Sequence, residues 1–313
     1  MKKTLIALAV LAASGASFAQ VSITGEYAYG WNTSNSSAGV EKSGLGVDTS
    51  FVKFAASEDL GGGLKASAEM SLDGFTRGAA NGGDNSLTLE GGFGKIKMAN
   101  DKGADYLSSV IGGIAGFDGK VYGGRTVNDS VAYTSPAFGG FTFGLSHTEN
   151  TSAQGLGVGA ASNNDQRSNS FTLSYAAGPL AVTGALTSWD NQDTDLNKPD
   201  NSKTRARVKG SYDFGAFKLG AGVVQVNRNK GTTTDSILAV TAPFGALTVG
   251  FDLANSKRDG SGTAANDVSK NGYGLKAVYS LSKRTSLIGA YTNWDEAGVQ
   301  RANLTELLVS HTF

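Results

Sequence analysis

Four basic residues at two-residue spacing, Lys203, Arg205, Arg207 and Lys209, alternate with Thr204, Ala206, Val208 and Gly210. On a β-strand that spacing gathers all four cations in one column on one face. Such a column makes and breaks no bond; it attracts and orders anions. Further charges fall at strand parity: Lys53, Lys65, Lys95 and Lys97, with Glu26, Glu69, Asp73 and Glu90 on neighbouring segments. The long polar connection from Asn100 to Asn128 adds Asp101, Asp105 and Asp118, together with Lys102, Lys120 and Arg125. Rows of opposite sign facing one another across water set up a transverse field that orders polar solutes. Only groups within about a Debye length, ~8 Å at physiological salt, act strongly on a passing solute.

Bond-making chemistry has no comparable set of residues. Gly119-Lys120 lacks both the glycine five positions earlier and the following Ser or Thr of a phosphate-binding loop. Asp193-Thr194-Asp195-Leu196-Asn197 begins like a calcium loop, but Lys198 and Thr204 stand where the glycine and the closing glutamate are needed. The two histidines, His147 and His311, are far apart in sequence and form no metal-binding pattern. No cofactor, metal or catalytic set is expected.

The segments that would carry the charges alternate in polarity. In Leu64–Leu72 the even positions are Leu, Ala, Ala, Met and Leu and the odd ones Lys, Ser, Glu and Ser. One face suits hydrocarbon and the other water. The same alternation runs through Val21–Tyr27, Phe141–Ser146 and Phe171–Tyr175. Seven tight-turn signals occur, at Glu58–Gly63, Gly91–Gly94, Pro136–Gly140, Ala176–Pro179, Asp213–Ala216, Pro243–Ala246 and Leu281–Thr285. Between them lie eight longer polar stretches, centred near residues 38, 79, 114, 157, 196, 231, 263 and 299. Connections alternating short and long predict an all-β fold, a sixteen-stranded antiparallel transmembrane barrel with short periplasmic turns and long extracellular loops. Phe93, Phe138, Phe141, Phe214, Phe217 and Phe244 crowd the short-turn side, and Trp31, Trp189 and Trp294 fall where strands meet long loops. That sorting predicts two interfacial aromatic girdles.

Met1-Lys2-Lys3, the uncharged run Leu5–Ala13 and Ser17-Phe18-Ala19 read as an export signal cleaved after Ala19, leaving a barrel over 20–313. The apolar run is too short for a helix that crosses a bilayer, which needs about 20 residues. Without Lys2 and Lys3 the 27 basic residues fall to 25 against 27 acidic, a net charge of −2. No excess of positive charge is present for nucleic acid. The chain has no cysteine, so no disulfide holds it together.

Ser57–Ala66, Gly91–Gly94, Ser130–Pro136 with Phe138–Phe141, and Leu281–Thr285 resemble the Gram-negative general porin family, closest to the porins of betaproteobacteria. The resemblance runs from Gln20 to Phe313, whose alternating final stretch with a terminal aromatic is also like theirs. It implies a homotrimer among outer-membrane lipid and lipopolysaccharide, with passive diffusion of ions and small hydrophilic solutes. It further implies that the third long loop folds into the lumen. The apolar centre of that loop, Val110–Phe117, is unsuited to water and needs a wall to cover it. The residues expected to line the pore or its constriction are Lys53, Glu69, Asp73, Lys97, Asp101, Asp105, Asp118, Arg125, Arg205, Arg207 and Lys209. Family members carry basic residues near the pore eye where this chain reads Phe51, Ala55, Asn100 and Ala132. Ion preference therefore rests on Lys53 and the Lys203–Lys209 column, which lean towards anions. A substrate-specific channel, a barrel enzyme using His147 and a blocked barrel are the competing readings.

Overall fold

The computed structural model describes residues 20–36, 39–75, 78–102, 107, 116–123, 127–150, 166–191, 202–260, 267–295 and 301–313. The leader expected over 1–19 lies outside them. The first eight strands are β1 Gln20–Asn35, β2 Glu41–Gly61, β3 Leu64–Asp73, β4 Asn81–Gly91, β5 Gly94–Lys102, β6 Val127–Thr134, β7 Phe141–Asn150 and β8 Gln166–Ala177. The second eight are β9 Leu180–Asn191, β10 Ser202–Asp213, β11 Lys218–Arg228, β12 Thr232–Phe244, β13 Leu247–Asp259, β14 Val268–Ser280, β15 Thr285–Asp295 and β16 Arg301–Thr312. Each pairs antiparallel with its neighbours, and β1 pairs with β16 to close the ring. Closure leaves no edge whose unpaired N–H and C=O groups would face hydrocarbon, at several kcal/mol apiece.

All seven predicted tight turns join consecutive strands. Gly94 illustrates why glycine is needed there: its φ is 109°, and a Cβ would collide with the Thr134 carbonyl oxygen of the next hairpin. Three of the eight expected long loops are short instead. Residues 229–231 form a three-residue turn closed by Arg228 N–H donating to the Gly231 carbonyl, only residues 36–40 separate β1 from β2, and only 296–300 separate β15 from β16. Polar Ser/Thr/Asn-rich chain pairs as well in water as in lipid, so these strands run on through what reads as loop. Asp101 and Lys102, expected in the third long connection, likewise belong to β5.

The outer surface is apolar: Leu186 is 62% exposed, Met70 59% and Val208 55%. The opposite parity faces the lumen. There Leu107, Phe117, Val121 and Tyr122 of the β5–β6 connection pack on Val224 and Val226 of β11, Ile237 and Ala239 of β12 and Ala254 of β13. Apolar residues on the wet face of a barrel are out of place until something covers them, and this segment does. Tyr122 Oη donates to the Ser236 carbonyl at 2.6 Å. The wall is hollowed for the segment by two glycines. A Cβ on Gly222 would lie 2.8 Å from Leu107, and one on Gly272 would lie 2.6 Å from Val121 and 3.0 Å from Phe117. The centre of the expected apolar loop, 110–115, lies outside the described residues.

The aromatic expectation is corrected in part. Trp31 faces outward, but Trp294 packs against the lumenal cluster, and Trp189 shares the inward parity of Thr187 beneath Arg205. Each ring has a lumenal cation above it, so its quadrupole is used inside the barrel instead of at the head-group level.

Candidate functional site, a charged lumen

Two stretches of lumenal wall carry most of the expected site residues. On β2–β5, Lys53 lies 3.6 Å from Glu69 and Lys97 2.6 Å from Asp101. Strand pairing makes these contacts: Lys53 sits opposite Ser71 with Glu69 one step along the same face of β3, and Lys97 and Asp101 are four apart on β5. Asp73 and Asp84 join them around an open recess of about 820 Å³. The β3–β4 register slips beside the recess, between Met70 and Leu72, and Gly83 gives the Ser71 and Asp73 side chains room.

Seven places round the ring from β3 stands β10 with the basic column. Arg205 lies 5.1 Å over the Trp189 ring and donates to Thr187 Oγ1 at 3.4 Å. Arg207 shares its face. Lys209 is only 4% exposed, because Leu107 settles beside it over Gly222. The column is therefore open at Arg205 and covered at Lys209. Asp118 lies at the start of the wall-packed turn, bridged to Tyr122. Asp105 and Arg125 lie outside the described residues.

A third charged group joins Glu26 and Lys120, both expected from the sequence, to Asp48, Lys276 and Glu306, which were not anticipated. Asp48, the extra residue of the bulge opposite Ala28 and Tyr29, turns inward to the cavity that the Glu306 carboxyl of β16 also lines. Together with Glu26, Lys276 and Thr292 they line a 160 Å³ cavity into which Lys120 reaches from the loop segment. Lys120 Nζ donates to the Gly116 carbonyl at 3.2 Å and sits 5.3 Å over Trp294. Burial pushes its ammonium below the ordinary lysine range, against the attraction of Glu306 and Asp48. Strand parity alone would have placed Lys276 and Glu306 inward; the bulge that turns Asp48 left no trace in the pattern.

Two of the motifs set aside in the sequence fall within the described residues. Gly119 and Lys120 form part of a tight turn, with Gly119 N–H donating to Tyr122. His147 lies on the outer face, its ring nitrogens 2.9 Å from Asn169 and 3.4 Å from Glu149, with no serine in either contact. Among the described residues no group of three or more His, Cys, Asp or Glu could hold a metal ion, and Asp193–Asn197 lies outside them.

A closed antiparallel barrel, greasy outside and lined inside by charges of both signs, defines a transmembrane channel. The family model for Gram-negative porins matches residues 4–298, and the chain belongs to that family. It is 30% identical over 325 residues to outer membrane porin protein 32 of Delftia acidovorans, covering 92% of this chain and 88% of that one. It is 28% identical to the major outer membrane protein P.IB of a Neisseria meningitidis strain, covering 92% of each. An anion-selective porin from Comamonas acidovorans superposes with a TM-score of 0.71 over 94% of this chain and all of that one, at 20% identity, a likeness of fold. The protein is thus an outer-membrane porin through which small hydrophilic solutes diffuse.

Proposed function

We propose that the segment seated on β11–β13 narrows the lumen, and that solutes are sorted there by the field between two walls. Arg205 and Arg207 form the positive side; Glu69, Asp73 and Asp101, partly offset by Lys53 and Lys97, form the negative side. The reading is supported chiefly by one observation, a basic column and a mixed, acid-rich wall placed across a ring whose remaining lumen holds the loop. Anions are favoured weakly, since Arg205 stays accessible while the facing wall is half neutralised by its own lysines. No chemical step takes part. The working form is a homotrimer set in outer-membrane lipid and lipopolysaccharide, after removal of the leader at Ala19.

A substrate-specific channel would need a run of stacked aromatics or a dedicated binding cluster in the lumen. The inward tryptophans stand on β9 and β15, six places apart on the ring, so they form no such run. Planar-bilayer recording tests the proposal. Ohmic steps arriving in threes and a reversal potential displaced towards anions are expected. Arg205→Glu with Arg207→Glu should move that potential towards cations, and an unchanged value would remove the column from the selectivity mechanism.

A further inference from the structure

We propose that the recess on β2–β5 is a docking subsite for small zwitterions, molecules that carry an ammonium and a carboxylate on a short body, such as free amino acids. This rests on the diffusion reading above and names a solute class that would linger on the way through.

The recess is built for both charges at once. Its lining holds five carboxylates, Asp48, Glu69, Asp73, Asp84 and Asp101, against three lysines, Lys53, Lys97 and Lys102. A surplus of carboxylate suits a solute that brings its own ammonium. Among the described residues Asp73 makes no ion pair, and its carboxylate packs over Gly83, where a Cβ would come within 2.8 Å of it. Among the described residues the ion-pair partner of Lys53 is Glu69, at 3.6 Å, and both side chains are nearly half exposed. Exposed pairs of that kind open readily.

The placement of the charges selects the ligand. Lys53 opposes Ser71, and Asp73 is the next residue of β3 on the same face, so the two are diagonal neighbours across a strand pair. The lysine stem is flexible, and its ammonium, released from Glu69, meets the solute carboxylate while the solute ammonium meets Asp73. A simple anion or cation engages one end only. Phe51 and Phe75 add apolar surface beside the charges, and Ser71 and Ser86 add hydroxyls. The lumenal face of β10 carries four cations, and its one acid, Asp213, stands at the turn end and accepts from Gly215 N–H, so it offers no such double grip.

The test uses the reconstituted full-length protein in planar bilayers. Glycine, ethylammonium, acetate and glycerol are added in turn, and excess current noise is recorded at constant ionic strength. Saturable excess noise with glycine that exceeds the noise from either single-charge probe by about two- to fivefold is expected, the range that one exposed ion pair can supply. Asp73→Asn and Lys53→Gln should each bring glycine down to the level of the single-charge probes. Equal noise from glycine and ethylammonium, lost only in Asp73→Asn, would reduce the recess to an ammonium contact and overturn the proposal. Normal salt conductance with no glycine-specific noise would overturn it too while leaving the diffusion reading in place. A silent bilayer would instead count against the diffusion reading itself.

Discussion

Replacing Gly272 with valine should unseat the loop segment Phe117–Tyr122 from the lumenal wall. The Cβ alone would lie 2.6 Å from Val121 Cγ2, 3.0 Å from Phe117 Cε1 and 3.2 Å from the Asn293 carbonyl oxygen. Carbon atoms rest at about 3.5–4.0 Å, so the nearest contact is short by roughly 1 Å before the valine methyls are counted. Overpacking of this kind costs about 1–3 kcal/mol. The strand cannot yield, because β14 is hydrogen-bonded on both sides within a closed ring. The loop takes the strain. At about 1.4 kcal/mol per decade, an equilibrium between seated and displaced loop shifts roughly 5- to 150-fold towards displacement. Single-channel recording reads this as frequent transitions between two conductance levels where the wild type holds one. Gly184→Ala is the control, since a Cβ there meets nothing nearer than 3.9 Å. Val121→Ala in a Gly272→Ala background restores space and should restore the steady level. A Gly272→Val channel that folds and conducts with a wild-type, noise-free level would refute the seating argument.

Tyr122→Phe removes the hydroxyl that donates to Ser236. A loss of about 1 kcal/mol is expected, seen as faster flicker at an unchanged main conductance. Raising the pH should discharge Lys120 before the exposed lysines, because burial depresses its affinity for a proton. The sign follows from linkage: below the depressed value the folded protein carries a buried ammonium at a cost. Between that value and the ordinary lysine value of 10.5 the unfolded chain binds more protons, so folded stability rises with pH. The reversal potential should drift towards cations over the same window, and the drift should vanish in Lys120→Met.

The barrel was legible because alternation and turn chemistry act locally. Leu64–Leu72 shows its two faces without help from the rest of the chain, and six of the seven tight turns announce themselves by Gly or Pro, Leu281–Thr285 being the exception. What the pattern could not say is what covers a face. Val224, Val226 and Ile237 look out over the lumen and stay dry because Leu107 and Phe117–Tyr122, more than a hundred residues earlier, lie on them. The same cover hides Lys209, which parity alone had placed beside Arg205 as an open pore charge. Trp189 and Trp294 misled for a related reason: an aromatic at a strand end fits the interface and the lumen equally well until its neighbours are known. Asp48 was out of reach, since a bulge changes parity by one residue and leaves no compositional mark.

The seam between β1 and β16 has one more implication. Gly25 and Phe313 exchange both backbone hydrogen bonds, at 3.0 and 3.1 Å, and the Phe313 ring lies where a Gly25 side chain would stand. The two staves that complete the cylinder come from the earliest and latest described parts of the polypeptide. Until that last stitch is made, a sheet that includes the fourteen strands between them ends in two raw edges, whose N–H and C=O groups must be satisfied by water, a chaperone or an insertion machine.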